Sequence, residues 1–176
     1  LKVAYRDRRE EKLVAYVAES GSPSGRVLCE GCAVEAFFPG AGEALVRVSD
    51  RVARRQLDGG GEVPLIEAPA VSEVAPSPDG KWLAFTQDEP DGTEALYQAD
   101  ITRPPSPPES WRLVARDRRH LGSPAWSPDG RFLYYVSQRD GSPCVWAQPI
   151  APDGGLAGAA VAALHLHSGN GVWGRN

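Results

Sequence analysis

Residues 77–85 read Ser-Pro-Asp-Gly-Lys-Trp-Leu-Ala-Phe, and residues 127–135 read Ser-Pro-Asp-Gly-Arg-Phe-Leu-Tyr-Tyr. Each copy couples a tight turn to a strand that opens basic, then aromatic, then apolar. Self-similarity at this spacing predicts stacked modules rather than one wound core. Pro78 and Pro128 fix φ near the value that the second position of a type I turn requires. Asp79 and Asp129 can accept hydrogen bonds from backbone N–H groups that the turn leaves free. Gly80 and Gly130 tolerate positive φ. These six residues are read as structural turn residues. A metal-binding role for the aspartates is the weaker reading, because no second carboxylate stands at ligand spacing.

Around the repeat, runs of four to eight strand-like residues recur between turn signals, and helical periodicity is nearly absent. The 19 glycines and 16 prolines sit between these runs and punctuate them. Val3–Arg6 and Leu13–Ala18 read as a hairpin around the mixed charges of 7–12, with Arg26–Cys29 as a third strand. Val34–Phe38, Ala44–Val48, Arg51–Leu57 and Glu62–Glu67 follow, and the segment 37–42 resembles a worn copy of the repeated turn. The first clear copy comprises Val71–Ala75, Trp82–Gln87, Glu94–Ile101 and Trp111–Arg116, with a proline-rich excursion over 102–110. The second comprises Pro124–Trp126, Phe132–Gln138, Cys144–Pro149 and Ala163–His167, with a Gly/Ala-rich loop over 151–160. Gly42 to Gly80 is 38 residues and Gly80 to Gly130 is 50. Four antiparallel strands per unit at such a period predict an all-β, partial β-propeller of about three blades plus fragments. The units are 1–32 (incomplete blade), 33–70 (degenerate blade), 71–119 and 120–168 (blades), and 169–176 (a tail or the start of a further blade).

The net charge of −4, with no basic block, argues against nucleic acid as a partner. No apolar run approaches the ~18 residues of a membrane span, so this segment is not expected to insert in a membrane. The chain has no methionine, and a segment of a longer protein is expected. The ends of an open array are predicted to pair with other strands, so edge self-association is expected.

Three readings of Cys29-Glu30-Gly31-Cys32 stand: a disulfide or inert thiols, half of a zinc site, or a redox pair. The zinc reading lacks a second pair of ligands, and the redox reading lacks a helix start. Cys144 reads as a buried thiol. His165 and His167 share a strand face, which suits a metal or ordinary packing, and His120 reads as a loop residue. Trp82, Trp111, Trp126, Tyr134, Tyr135 and Trp146 read as fillers between sheets, with a stacking platform for sugars or peptides as the alternative. Trp173 falls outside the repeat. No cofactor and no catalytic residue is assigned.

The Ser-Pro-Asp-Gly phrase with its basic-aromatic-apolar strand resembles the WD-like repeat of TolB-type β-propellers. Finer features are similar to propellers fused to bacterial serine/threonine kinases. They are the segments 124–130, 137–141 and 144–148, the His165-Leu166-His167-Ser168 end and the Cys-x-x-Cys pair. The resemblance implies a non-catalytic sensor or interaction module of an envelope-associated protein, periplasmic or otherwise extracytoplasmic, binding a protein or peptide. The alternative it carries is the substrate-gating propeller of a prolyl-oligopeptidase-type serine peptidase whose catalytic domain lies elsewhere.

Overall fold

A computed structural model describes residues 2–9, 12–22, 24–38, 40 and 42–166. Fifteen strands form four sheets among these residues, with a single 3-10 turn at Pro108–Ser110 and no α-helix. Sheet 1 holds β1 (Lys2–Arg9), β2 (Lys12–Glu19) and β3 (Arg26–Glu30). Sheet 2 holds β4 (Ala33–Phe37), β5 (Glu43–Val48), β6 (Arg51–Gln56) and β7 (Glu62–Glu67). Sheet 3 holds β8 (Val71–Pro76), β9 (Trp82–Asp88), β10 (Glu94–Asp100) and β11 (Arg112–Asp117). Sheet 4 holds β12 (Leu121–Trp126), β13 (Phe132–Ser137), β14 (Cys144–Pro149) and β15 (Val161–His165). Every sheet is an antiparallel meander in chain order. The first strands β4, β8 and β12 lie nearest one another, so the sheets radiate outward from them. The fold is all-β, a partial β-propeller.

The inner sheets 2 and 3 are apolar on both faces, because each is sandwiched between two neighbours. In β9, Leu83 and Phe85 point to sheet 2, where they pack with Phe38, Leu45, Leu65 and Ile66. Ala84, between them, points to sheet 4 and packs with Leu121, Leu133 and Tyr135. All three are fully buried. This is why the strand reads as a continuous apolar run rather than an alternating one. The first seam repeats the pattern, with Ala15, Val17 and Leu28 of sheet 1 against Ala44, Val46 and Ala53 of sheet 2.

One cross-strand aromatic pair recurs at equivalent register. Tyr5 pairs Tyr16 in sheet 1, Phe85 pairs Tyr97 in sheet 3, and Tyr135 pairs Trp146 in sheet 4. The first two are stacked, at 5.1 and 5.7 Å between centroids. Trp111 meets Phe85 edge-on at 4.9 Å and extends the second pair into a triad. By this register, β1–β3 correspond to the second, third and fourth strands of the other sheets.

Backbone bonds mark the repeat more sharply than side chains do. Ser77 N–H donates to Trp82 O at 2.8 Å, Ser127 N–H to Phe132 O at 2.9 Å, and Phe38 N–H to Glu43 O at 3.1 Å. The equivalent of Ser77 in sheet 2 is therefore Phe38, and Gly42 corresponds to Lys81 rather than to Gly80. A second set agrees: Leu57 N–H bonds Gly42 O, Ile101 N–H bonds Lys81 O, and Ile150 N–H bonds Arg131 O. The worn copy keeps the length of the turn and its closing bond while losing its side chains.

Because Phe85 is fully buried in the second seam, Phe85→Ala should lower stability by about 3–5 kcal/mol. Urea denaturation followed by tryptophan fluorescence measures this, and a loss under about 1 kcal/mol would mean the seam does not hold the sheets together.

Candidate functional site

Antiparallel meanders put the turn between first and second strands and the link between third and fourth strands at one end of the array. At that end the two repeated turns are built atom for atom alike. Ser77 Oγ donates to Asp79 Oδ1 at 2.6 Å and accepts from Trp82 N–H at 3.0 Å, while Asp79 Oδ1 also accepts from Lys81 N–H at 3.1 Å. Ser127 Oγ donates to Asp129 Oδ1 at 2.6 Å and accepts from Phe132 N–H at 2.9 Å, and Arg131 N–H reaches Asp129 Oδ1 at 3.1 Å. Gly80 and Gly130 take φ of 69° and 70°. The serines, to which the sequence reading gave no role, are the buried centres of both networks.

Burial alone would raise the Asp79 pKa, but the Ser77 hydroxyl and the Lys81 N–H and ammonium outweigh it, leaving the group below its ordinary value of 3.8. The Ser127 hydroxyl and the Arg131 N–H hold Asp129 below 3.8 as well. Both carboxylates are ionised at neutral pH.

Between the turns lies a cleft of about 740 Å³ that spans sheets 3 and 4. Trp82, Pro78 and Asp79 come from one side, and Trp126, Pro128, Asp129, Arg131 and Phe132 from the other. Its third wall is the loop Pro149–Gly154. There Pro152-Asp153-Gly154 repeats the turn chemistry once more: Gly155 N–H bonds Asp153 Oδ1 at 2.9 Å, and Gly154 has φ 79°. Gly154 lies against sheet 3, and a Cβ there would overlap the Trp82 indole. Gly154 O accepts from Arg112 Nη1 at 2.7 Å and from the buried Gln98 Nε2 at 3.0 Å. The Arg112 guanidinium stacks on Trp82 at 4.8 Å. The sequence reading treated 151–160 as a plain Gly/Ala-rich loop; the Pro-Asp-Gly at 152–154 was the signal available.

The aromatics divide. Tyr135, Trp146 and Trp111 pack in the seams, Trp82 and Phe132 line the cleft, and Trp126 does both. Trp126 occupies the place of Pro76 in the preceding sheet and donates its indole N–H to Ala75 O at 3.0 Å.

At the opposite end, Asp117 is buried. Its Oδ2 accepts from Ser137 Oγ at 2.6 Å and Gln138 N–H at 2.9 Å, and its Oδ1 accepts from Arg119 N–H at 3.0 Å. Glu94 of sheet 3 accepts from Leu121 N–H at 2.6 Å and lies 3.5 Å from His120 Nδ1. Glu73 accepts from Ser123 N–H.

Cys29 and Cys32 are joined as a disulfide, with Cα atoms 6.0 Å apart, across the link from sheet 1 to sheet 2. Cys144 is a buried free thiol with His165 Nδ1 at 3.1 Å from its sulfur. His167, Ser168 and Trp173 lie outside the described residues. Among the described residues no group of three or more His, Cys, Asp or Glu side chains is arranged to hold a metal ion. No helix among them is long and apolar enough to cross a membrane.

Four-stranded sheets radiating from their first strands, with Pro-Asp-Gly turns at one end, define a TolB-like β-propeller segment. TolB from Acinetobacter baumannii is similar at TM-score 0.70 and 19% identity, over 88% of this chain and 40% of that one. A puromycin-hydrolyzing peptidase from Mycobacterium tuberculosis is similar at TM-score 0.63 and 18% identity, over 90% of this chain and 30% of that one. An acylaminoacyl peptidase from Pyrococcus horikoshii is similar at TM-score 0.64 and 11% identity, over 93% and 31%. The chain thus spans well under half the length of these proteins. No protein-family profile matches it, and no curated protein sequence does. At these identities the likeness establishes the fold alone.

Ser127→Ala leaves the Phe132 N–H and the Asp129 carboxylate each short of a partner and should cost about 1–3 kcal/mol in chemical denaturation. Ser77→Ala should cost the same within error; unequal losses would mean that the two networks do not carry equal weight.

Burial alone would raise the Asp117 pKa, yet the Ser137 hydroxyl and the N–H groups of Arg119, Gln138 and Arg118 outweigh it and hold the group below 3.8. A carboxylate depressed in the folded state stabilises fully above its unfolded value and loses that stabilisation as pH falls through the folded one. The stability difference between the native chain and Asp117→Asn should therefore be flat above about pH 5 and shrink towards acid. A gap that widens on acidification would contradict this.

Proposed function

We propose that this chain is a non-catalytic interaction module of a larger envelope-associated protein, and that it binds a protein or peptide partner through the loop-bearing ends of its sheets. The observation that carries the reading is the cleft at the repeated-turn end. It spans two sheets and is walled by rigid rings, which is the form of a recognition surface. The strands behind it are committed to the seams, so the sheets act as a frame and the loops do the recognising. Likeness to TolB supports an extracytoplasmic location, and the Cys29–Cys32 disulfide suits an oxidising compartment.

Likeness to two peptidases favours a second reading, a propeller that filters substrates for a hydrolase domain elsewhere in the protein. The flanking gene sequence separates the two. A downstream Gly-x-Ser-x-Gly with later Asp and His supports the peptidase, while an upstream kinase domain with one membrane span supports the sensor.

Immobilised chain, exposed to an envelope fraction and washed, should retain a reproducible protein that also binds when purified. Absence of any such partner alongside a working positive control would remove the interaction reading.

A further inference from the structure

The cleft between the repeated turns also constrains what can enter it. The backbone groups that close the two turns are already used: Ser77 N–H on Trp82 O, Gly80 N–H on Ser77 O, and their counterparts at 127–132. The loop wall is likewise closed on itself, with Ala151 N–H on Gly155 O and Gly154 N–H on Ala151 O. A partner strand finds no ladder to extend there. Recognition must come from ring packing and charge, which is how aromatic-lined grooves take extended proline-containing segments. Trp126, Phe132 and the prolines of both turns supply that packing from groups with little conformational freedom to lose. The lining carries two carboxylates, Asp79 and Asp129, against one guanidinium, Arg131. Arg112 is held flat on Trp82 with its Nη1 committed to Gly154 O, and Lys81 sits 3.4 Å from Asp79 in an exposed pair. Such an exposed pair is weak and yields readily to an incoming charge.

We propose that this cleft receives an extended, proline-containing segment of a partner protein with a basic side chain placed between Asp79 and Asp129. The proposal rests on the interaction-module reading and specifies its ligand. An acidic segment would meet the carboxylates and is selected against.

The test uses the whole chain and a short synthetic proline-rich peptide with one arginine, alongside the same peptide carrying glutamine or glutamate in its place. Calorimetry and the fluorescence of Trp82 and Trp126 read the binding. The arginine peptide should bind saturably, and the glutamine version should bind about tenfold more weakly. The glutamate version should be weaker still, and added salt should weaken the arginine peptide selectively. Asp79→Asn with Asp129→Asn keeps an oxygen acceptor in each turn and should erase the preference for arginine. Phe132→Ala should weaken the arginine and glutamine peptides alike. The peptide series on the unmodified chain stands even if a variant fails to fold. No saturable binding up to millimolar peptide, equal binding of all three, or an undiminished arginine preference in the double variant would overturn the proposal. A captured envelope partner that binds the double variant as well as the native chain would overturn it too, while leaving the interaction module intact.

Discussion

The structure depends on burying its inner sheets from both sides. A four-stranded meander with one wet face alternates polar and apolar residues, but β9 does not. Leu83 and Phe85 face one neighbour and Ala84 the other, so sheet 3 has no solvent face to fall back on. Stability is then a sum over seams between neighbours, as in other modular arrays. The cross-strand aromatics Phe85–Tyr97 and Tyr135–Trp146 sit on the seam side of their sheets. They fill the space between neighbouring sheets.

Much of this was legible in the chain. Strand placement followed from short apolar runs between Gly and Pro, and the repeat at 77–85 and 127–135 set the architecture, because both turn and strand recur. The register of the worn copy was not legible. Matching glycines put Gly42 opposite Gly80, whereas hydrogen bonding puts Phe38 opposite Ser77. Backbone geometry can persist after the side chains that announce it have gone, and Phe38 is such a case. The serines were overlooked for a related reason: a serine before proline looks like generic turn composition, and its hydroxyl bonds appear only once the chain folds back at Trp82 and Phe132.

The site was less legible than the fold. Trp82 was read with the other aromatics as a filler between sheets, with a stacking platform as the alternative, and one-dimensional spacing does not distinguish a ring in a seam from a ring at a sheet end. The third wall of the cleft comes from residues 149–154, which meet the turn at 77–80 only through the fold. The contact between Cys144 and His165 is similar in kind, since it is a cross-strand pair set by β14–β15 register and separated by 21 residues in sequence.

Gly154 carries a further consequence. It belongs to the fourth sheet yet lies on Trp82 of the third, with its carbonyl held by Gln98 and Arg112. The loop is thus a strap across two modules, and swinging the fourth away from the third would strip a backbone off an indole and release two donors at once. Motion between these neighbours is damped at that end, and the jaws on either side of the strap keep a fixed separation whether or not anything sits between them.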